Sequence, residues 1–283
     1  MLKKDDIYRQ STAAWNIWRT KWIDNCAVTK TLDKQSMATL LNACEGKLLV
    51  QCAFGYSLNH NLPAIRAYRD QLSVMCCDKA FGYLMENEIV PDYCIIADAS
   101  VDTEWIKGQD TSKTTLIANV AANPEWTKNW KGPRVFYLNW DNIGTANILG
   151  AASDVWEVIP ASSNVSNAQV VFATQVLNPS KQLLVGYDYS WMEGGWYYAS
   201  KDSDKRHYMH HADVVSPFGY LARSSSNLIF SRNWLMQFIQ KFKYGHRIIN
   251  CSGMGLMELE SQMPLGEAVI RYVPKSKEEF KWQ

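Results

Sequence analysis

Residues 48–98 have the sequence LLVQCAFGYSLNHNLPAIRAYRDQLSVMCCDKAFGYLMENEIVPDYCIIAD, and this stretch decides the fold class. Three short apolar runs, LLVQC, LSVMCC and DYCIIAD, alternate with two segments of helical pattern, NLPAIRAYRDQ and KAFGYLMENE. Such alternation is typical of parallel strands joined by crossover helices. The sequence therefore predicts an α/β fold with a doubly wound, Rossmann-like and mostly parallel sheet.

The pattern of short apolar runs continues toward the C-terminus. One helical pattern interrupts it, at Asn167 to Leu177. Further strands are predicted at Thr115 to Val120, Arg134 to Leu138, Val155 to Ile159, Gln182 to Gly186 and Arg247 to Cys251.

Ahead of the first strand the periodicity is helical. Trp15, Trp18 and Trp22 recur at three- and four-residue spacing, and a second helical pattern covers Ser36 to Ala43. We therefore predict three regions: an N-terminal helical cap (1–46), a Rossmann-like nucleotide-binding catalytic domain (47–265) and a C-terminal tail (266–283). Within the second region, residues 187–227 are long, polar and aromatic, which is typical of a functional lid.

Composition narrows the function classes. The 29 Lys and Arg residues against 28 Asp and Glu residues give a net charge of +1, which is no strong signal for nucleic-acid binding. No window reaches the roughly 18 apolar residues of a membrane span, and no apolar core follows the first ten residues. We expect a soluble, cytoplasmic protein without a membrane span; its oligomeric state has no signature in the sequence.

Cysteine usage points away from disulfides and structural zinc. The seven cysteines are an odd number, several lie in apolar strand-like runs, and none forms a CxxC pair. The sequence also lacks a P-loop, a GxGxxG, a GxSxG and an HExxH motif. These absences argue against P-loop kinases, classical dehydrogenases, serine hydrolases and zincins.

Candidate site residues follow the predicted strands, because ligands of doubly wound sheets bind beyond the carboxyl ends of the strands. In the first loop Gly55 allows a ligand close to the backbone, and Ser57 with the next helix N-terminus can donate to a phosphate. An ordinary capped turn is the alternative.

Asp98, which follows the third run together with Ser100 and Asp102, can bind a ribose hydroxyl, hold Mg²⁺ or cap a helix.

Three later loops have the same position relative to their strands. The polar turn ending in Ser166 and Asn167 offers hydroxyls and amides to a nucleotide at a predicted helix start. The loop after the run QLLV contains Gly186, Asp188 and Tyr189. The last predicted strand is followed by the candidate residues Ser252 and Gly253, for which a simple helix-entry turn is the alternative.

Three of the five histidines, His207, His210 and His211, fall within five residues of the lid segment. Histidine titrates near neutral pH, so the cluster can supply a general base or metal ligands. No acidic or thiol partner stands at a convincing spacing, so the sequence does not predict a metal site here. A solvated polar loop is the alternative.

Taken in order, these segments resemble the MptE-like family. The resemblance rests on FGYSLNHNLPAIRAY, MENEIVPDYCIIAD, LLVGYDYSW and NCSGMGLMELESQMPL, and it spans roughly residues 45–265. The family includes archaeal 6-hydroxymethylpterin pyrophosphokinases and the core domain of the Maf flagellin glycosyltransferases. It implies a sialyltransferase-like fold and nucleotide-dependent transfer.

A second resemblance concerns the reaction. GYDYSW followed by HYMHH is similar to the corresponding stretch of bacterial sialyltransferases that use CMP-sialic acid. It implies that His211 is the general base and that Tyr189 and Tyr197 or Tyr198 contact the leaving phosphate, although strict alignment places Ser190 and Trp196 there. Tyr56 replaces the proline of the family's Gly-Pro-Ser-Leu loop, which implies either stacking on the base or a loop that has lost its function.

The resemblances imply three alternative functions. The first is an inverting glycosyltransferase that needs no metal and moves a sugar from a CMP-sugar-type, nucleotide-activated donor to an acceptor hydroxyl. The second is transfer of diphosphate from ATP to 6-hydroxymethylpterin or a similar alcohol, with Mg²⁺ held by Asp98, Asp102 and Asp188. The third is a non-catalytic nucleotide-sugar binder.

Overall fold

The computed structural model of the protein describes residues 21–140, 143–160, 162–191, 198–199 and 211–273. Eight strands form one sheet, and two further strands, β8 and β9, form an antiparallel hairpin. The ten strands are, in chain order, β1 (Leu48–Cys52), β2 (Leu72–Cys77), β3 (Tyr93–Ile96), β4 (Thr115–Asn119), β5 (Arg134–Trp140), β6 (Val158–Pro160), β7 (Lys181–Val185), β8 (His211–Val215), β9 (Leu221–Ser225) and β10 (Ile248–Asn250).

The large sheet is parallel throughout and has the order β10-β7-β1-β2-β3-β4-β5-β6. Helices connect most of the strands, and the predicted doubly wound α/β fold is confirmed. The helices are α1 (residues 21–31), α2 (Leu58–Ala67), α3 (Asp78–Glu86), α4 (Pro124–Asn129), α5 (Ile143–Ser153), α6 (Val165–Phe172), α7 (Ser226–Lys241) and α8 (Leu265–Tyr272).

Both faces of the sheet are covered, which explains why the strand sequences are continuously apolar. Along β1, Leu48, Val50 and Cys52 pack with α2, α3 and α8 on one face. Leu49 belongs to the opposite core, which contains α6 and α7. Successive side chains of a strand point to opposite faces, so a central strand buried on both sides has little room for polar residues.

The order of the strands reverses next to β1. From β1 to β6 the chain adds strands in one direction, and α6 then carries it back across the sheet to β7 on the other side of β1. The loops that follow β1 and β7 therefore diverge from a common point at the carboxyl edge of the sheet. In doubly wound folds this switch point is where ligands bind.

A buried polar network supports α6 beneath this switch point. Gln51 Nε2 donates to Gln182 Oε1 at 2.7 Å. Gln182 Nε2 donates at 2.8 Å to Thr174 Oγ1, in the π-helical turn Ala173–Leu177 that continues α6. Tyr187 donates its hydroxyl to the Ser166 carbonyl at 2.8 Å. Because each of these buried groups has a partner, the network fixes the position of α6 on β1 and β7 at little desolvation cost.

The two ends of the chain differ from the sequence prediction. The second predicted cap helix is a short 3₁₀ helix, Met37–Leu40, capped by Ser36. Asn25 and Thr29 of α1 donate to the Ala121 and Val120 carbonyls, so α1 is bonded to the loop after β4. Residues 266–272 of the predicted tail belong to α8, because Leu265, Ala268 and Val269 of that helix are buried against the sheet and α2.

The lid segment contains regular structure that its sequence did not reveal. Its described part includes the hairpin β8–β9, in which His211 pairs with Ser225. All seven cysteines lie within the described residues and are buried. None of the described helices combines the length and the apolarity needed to cross a bilayer.

Candidate functional site

A cavity of about 420 Å³ lies at the carboxyl edge of the sheet, at the switch point. Its walls include residues that directly follow the strands, the N-terminus of α6 and side chains of α1, α5 and α7. Residues at or near the carboxyl ends of six neighbouring strands line it, one glycine and five polar residues: Gly55, Asp78, Asp98, Asn119, Asn139 and Asp188.

Glycines allow the loops after β1 and β7 to touch through their backbones. Gly55 N donates to the Gly186 carbonyl at 3.0 Å. A Cβ on Gly55 would lie 2.4 Å from Gly186 O, and a Cβ on Gly186 would lie 2.2 Å from Ala53 O. Gly186 also has a φ of +75°, which L residues rarely adopt. The close approach observed at Gly55 is therefore to the second loop, and the approach of a ligand to this backbone stays a prediction.

Asp188 joins the same two loops through its side chain. Its Oδ2 accepts from the Ser57 backbone N–H at 2.8 Å, and its Oδ1 accepts from the Ser57 hydroxyl. The residue is 1% exposed, and this burial raises the pKa of its carboxyl group to about 6 against the lowering effect of the two hydrogen bonds. Ser57 thus holds Asp188 in place, and its hydroxyl is committed to that carboxylate.

Asp78 and Lys79, which the sequence analysis did not single out, line the cavity at the start of α3. Asp78 is 3% exposed and accepts from the Lys79 backbone N–H at 2.7 Å. Burial raises the pKa of Asp78 to about 6, and the charge of Asp98 acts in the same direction. Both residues directly follow the run LSVMCC, so the rule that pointed to Asp98 could have found them.

Tyr198 and Lys79 form a polar pair inside the cavity. Lys79 Nζ donates to the Tyr198 hydroxyl at 2.8 Å and lies 5.0 Å from the centroid of its ring. Tyr198 forms a bridge with Gly55 and stacks on Phe54 with ring centroids 5.2 Å apart. The segment 198–199 therefore packs directly on the loop after β1, and the predicted site residue Tyr198 reaches the cavity.

Tyr189 and Asn167, both predicted site residues, bind each other. The Tyr189 hydroxyl donates to Asn167 Oδ1 at 2.6 Å, and Asn167 Nδ2 donates to the Ser231 carbonyl of α7 at 2.8 Å. Tyr189 has a φ of +52°, an uncommon conformation for a residue other than glycine. Asn164 caps α6 by accepting from Asn167 N at 2.8 Å. These contacts orient the α6 N-terminus, including the lining residue Ser166, toward the cavity.

Comparison with known proteins identifies the family. The profile described as "6-hydroxymethylpterin diphosphokinase MptE-like" matches residues 23–194. The chain belongs to the MptE-like family. The match covers well over half of the chain, and it confirms the resemblance inferred from the sequence motifs.

A solved structure supports the fold of this MptE-like protein. It is the Maf glycosyltransferase from Magnetospirillum magneticum AMB-1, which aligns with a TM-score of 0.65 at 15% sequence identity. The alignment covers 90% of the MptE-like chain and 42% of the Maf chain, so the chain spans less than half of that protein. No curated protein matches the chain.

Several predicted residues of the MptE-like protein lie in or beside the cavity. The structure places Gly55, Asp98, Ser166, Gly186, Asp188, Tyr189 and Tyr198 in its wall. Asp98 Oδ1 also accepts from Ser100 N at 2.8 Å, which is the turn-capping role named as its alternative. Tyr56 lies outside that wall, with its ring edge-on to His60 at a centroid distance of 5.8 Å.

Other predicted residues have structural partners or fall outside the described ranges. Ser252 Oγ accepts from Tyr187 N at 3.1 Å, and Gly253 supplies a left-handed turn with φ of +75°. The side chain of His211 lies outside the described part of the chain, as do His207, His210, Tyr197 and Trp196. Those assignments stay predictions of the resemblance.

The three aspartates predicted to hold Mg²⁺ are not brought together. Asp102 caps a 3₁₀ helix by accepting from Glu104 N at 3.0 Å and is not part of the cavity wall, whereas Asp98 and Asp188 are. Within the ranges that the structure describes, no group of three or more His, Cys, Asp or Glu side chains is arranged to hold a metal ion. The carboxylate that accompanies Asp98 is Asp78, at the end of the neighbouring strand.

Proposed function

We propose that this MptE-like protein is a nucleotide-dependent transferase that moves a glycosyl group from a nucleotide-activated donor to an acceptor hydroxyl. The observation that carries the proposal is the Lys79–Tyr198 pair in the switch-point cavity. An ammonium group and a phenol at 2.8 Å offer a positive charge and a hydrogen-bond donor where a phosphate would leave. Donors of CMP-sugar type fit the resemblance to the sialyltransferases.

The cavity offers further groups for the donor phosphate. The N-terminus of α6 carries a partial positive charge, and Ser166 of its first turn lines the cavity. Gly55 and Gly186 hold the loops after β1 and β7 together in the cavity wall, where a Cβ on either residue would clash with the other loop. Together with Lys79, these groups supply the electrostatic stabilisation that a departing nucleotide requires.

In the proposed reaction His211 takes the proton of the acceptor hydroxyl. The acceptor oxygen then forms a bond to the anomeric carbon while the bond from that carbon to the donor phosphate breaks with inversion. The backbone supports this position: His211 pairs with Ser225, and the adjacent Ser224 donates its hydroxyl to the Tyr189 carbonyl at 2.8 Å. The start of β8 is thereby tied to the loop that forms the cavity wall.

The second candidate function is transfer of diphosphate from ATP to 6-hydroxymethylpterin or a similar alcohol. It is favoured by Asp78 and Asp98, two carboxylates at adjoining strand ends in one cavity. Mg²⁺ is commonly held by one or two carboxylates together with substrate phosphates, so these two residues fit it. When bound, the ion would neutralise charge on the ATP phosphates.

A thermal-shift panel tests the proposal, because a ligand that binds only the folded state raises the melting midpoint. The purified protein is heated with CMP, CDP, UDP, GDP or ATP, each with Mg²⁺ and with EDTA. We expect a shift with CMP or CDP that survives EDTA. A shift confined to ATP with Mg²⁺ would support diphosphate transfer instead, and no shift with any nucleotide would contradict both.

Activity measurements then separate catalysis from binding alone. Lys79→Gln should weaken nucleotide binding and lower turnover, whereas the exposed Lys128→Gln should change neither. The variant His211→Ala should bind donor with unchanged affinity and lose turnover. Full turnover in His211→Ala would remove the proposed base. Donor binding without turnover by the wild type over a broad acceptor panel would favour the non-catalytic alternative.

A further inference from the structure

The cavity has a second, uncharged end that the proposed reaction does not use. It is formed by Asn119, the last residue of β4, and Asn139, near the end of β5. Asn119 pairs in register with Tyr137, so Asn139 lies two residues further along β5 on the same face of the sheet. The two amide side chains are therefore neighbours in the wall of one cavity.

The amide of Asn119 has a fixed orientation. Its Oδ1 accepts from the backbone N–H of Ala121 at 2.9 Å. The residue is 6% exposed, and within the described part of the chain the hydrogen bond to Oδ1 is the one that its side chain makes. Asn119 consequently presents a hydrogen-bond donor that the folded chain itself does not satisfy.

Asn139 supplies the complementary group. Its Oδ1 is buried and has no hydrogen-bond partner within the described residues. Buried polar atoms are satisfied in the large majority of cases, and an unsatisfied one costs roughly 1–3 kcal/mol. A ligand that donates a hydrogen bond to this oxygen would remove that cost. Ser190, 1% exposed and also in the wall, has a hydroxyl without a described partner in the same way.

Apolar side chains also line this cavity. Ala121, Leu149 of α5 and Trp22 of α1 belong to its wall. The charged residues of the wall, by contrast, belong to the loops after β2, β3 and β7. The ends of β4 and β5 thus contribute amide groups and no charged side chain to the wall, which suits an uncharged ligand group that forms hydrogen bonds at its edge.

We propose that Asn119 and Asn139 form a subsite for a flat heterocycle with an adjacent hydrogen-bond acceptor and donor on its edge, the nucleobase of the donor nucleotide. The inference rests on the proposed function, because it places the phosphate of the same molecule near Lys79 and Tyr198. Asn119 Nδ2 donates to the ring acceptor, and Asn139 Oδ1 accepts from the ring or amino N–H. A pterin ring has the same edge chemistry, and the experiment distinguishes the two sources.

Isothermal titration of four probes tests the subsite: CMP, AMP, ribose 5-phosphate and 6-hydroxymethylpterin. Two variants remove one hydrogen-bonding group each. Asn139→Leu deletes the acceptor, and Asn119→Asp keeps the oxygen that holds Ala121 while it replaces the donor. Asn129→Asp, at the exposed end of α4, makes the same chemical change outside the cavity and serves as the matched control.

We expect the affinity for the nucleotides to fall about tenfold in both subsite variants, the effect of a hydrogen bond lost in a buried site. The affinity of the two subsite variants for ribose 5-phosphate, which has no base, should stay unchanged. Lys79→Gln, by contrast, should weaken the binding of nucleotides and of ribose 5-phosphate alike. The melting midpoint of unliganded Asn139→Leu should not fall, because the variant removes an unsatisfied buried oxygen. Weaker nucleotide binding together with an unchanged melting midpoint would separate a role in binding from a purely structural role.

The outcomes distinguish the inference from the proposed function. If the wild type binds none of the nucleotides, the proposed function fails. Two outcomes would overturn the heterocycle subsite although the wild type binds nucleotides. In the first, the subsite variants weaken the binding of nucleotides and of ribose 5-phosphate equally, and in the second they weaken the binding of neither. If 6-hydroxymethylpterin is the probe whose affinity falls while nucleotide affinity is unchanged, the assignment to the nucleobase is overturned and the subsite belongs to the acceptor heterocycle.

Discussion

At the scale of single residues, the cavity holds carboxyl groups whose charge is opposed by burial. Asp78 and Asp188 both have a pKa raised to about 6, although each accepts hydrogen bonds that favour the ionised form. Burial therefore outweighs hydrogen bonding at both positions. A carboxylate with a pKa near neutrality is a common feature of functional sites. It also makes the stability of the protein depend on pH.

The substitution Asp78→Asn isolates this dependence. The pKa of Asp78 in the folded state lies above the value of about 4 expected for an unfolded Asp. The neutral carboxyl therefore makes its whole contribution to the free energy of unfolding below pH 4, and this contribution is lost as the pH rises to about 6. Asn stays neutral and can still accept from Lys79 N. We expect Asp78→Asn to be more stable than the wild type at pH 8 by about 2–3 kcal/mol, with little difference at pH 4.

Urea unfolding of both proteins at the two pH values measures the difference. The control is Asp24→Asn, an exposed position on α1. A stabilisation of equal size at pH 4 and pH 8 would contradict the assignment, because it could not arise from the titration of Asp78.

At the scale of elements, the contact between the loops after β1 and β7 depends on glycine. We expect Gly186→Ala to destabilise the fold by several kcal/mol, since its Cβ would lie 2.2 Å from the Ala53 carbonyl oxygen at a φ of +75°. Gly46 has nearly the same φ, +74°, and a Cβ added there would meet nothing within 4 Å. Gly46→Ala should therefore cost only the conformational penalty, about 1–2 kcal/mol.

Chemical denaturation of the two glycine variants gives the comparison, and nucleotide binding is measured in parallel. Gly186→Ala should lose binding together with stability, whereas Gly46→Ala should keep its binding. Equal destabilisation of the two variants would show that the loops do not need a close approach.

Helix α8 is a second element whose role is testable. Val269 is fully buried against the sheet and α2, whereas the next residue, Ile270, is 65% exposed. We expect Val269→Asp to destabilise the fold by at least about 3 kcal/mol, because it buries an unpaired charge, and Ile270→Asp to change stability by no more than about 0.5 kcal/mol. Thermal or urea unfolding of both variants decides the matter. Similar small effects would mean that α8 does not pack in solution.

At the scale of the whole molecule, one ligand should protect segments that are distant in the sequence. We expect CMP, or ATP with Mg²⁺, to slow amide hydrogen exchange together in peptides around Gly55, Lys79, Ser166 and Gly186, because these line a single cavity. A second cavity, of about 990 Å³, lies between α7 and the segment after β10. Protection confined to that second cavity would place the nucleotide elsewhere and contradict the proposed site.

The sequence predicted those features of the fold that a local pattern of apolar and polar residues encodes. The apolar runs at residues 48–52 and 72–77 are β1 and β2 almost to the residue, because a strand buried on both faces is apolar along its whole length. The glycine at position 55 and the aspartate at position 98 were found because polar or small residues that follow such runs stand at the ligand-binding edge of the sheet. Helix α8 was missed because its pattern is short and follows a polar segment.

The sequence by itself therefore determined the α/β class, the family and the edge of the sheet at which the candidate site lies. Only the tertiary structure decided that β7 lies beside β1, which brings Ser57 to Asp188 across 131 residues and Asn119 and Asn139 into the same cavity wall. The periodicity of apolar residues indicates which faces of a segment are buried, and that is a local property of the segment. The order of parallel strands is set instead by backbone hydrogen bonds and side-chain packing between segments far apart in the chain, and no local pattern records those.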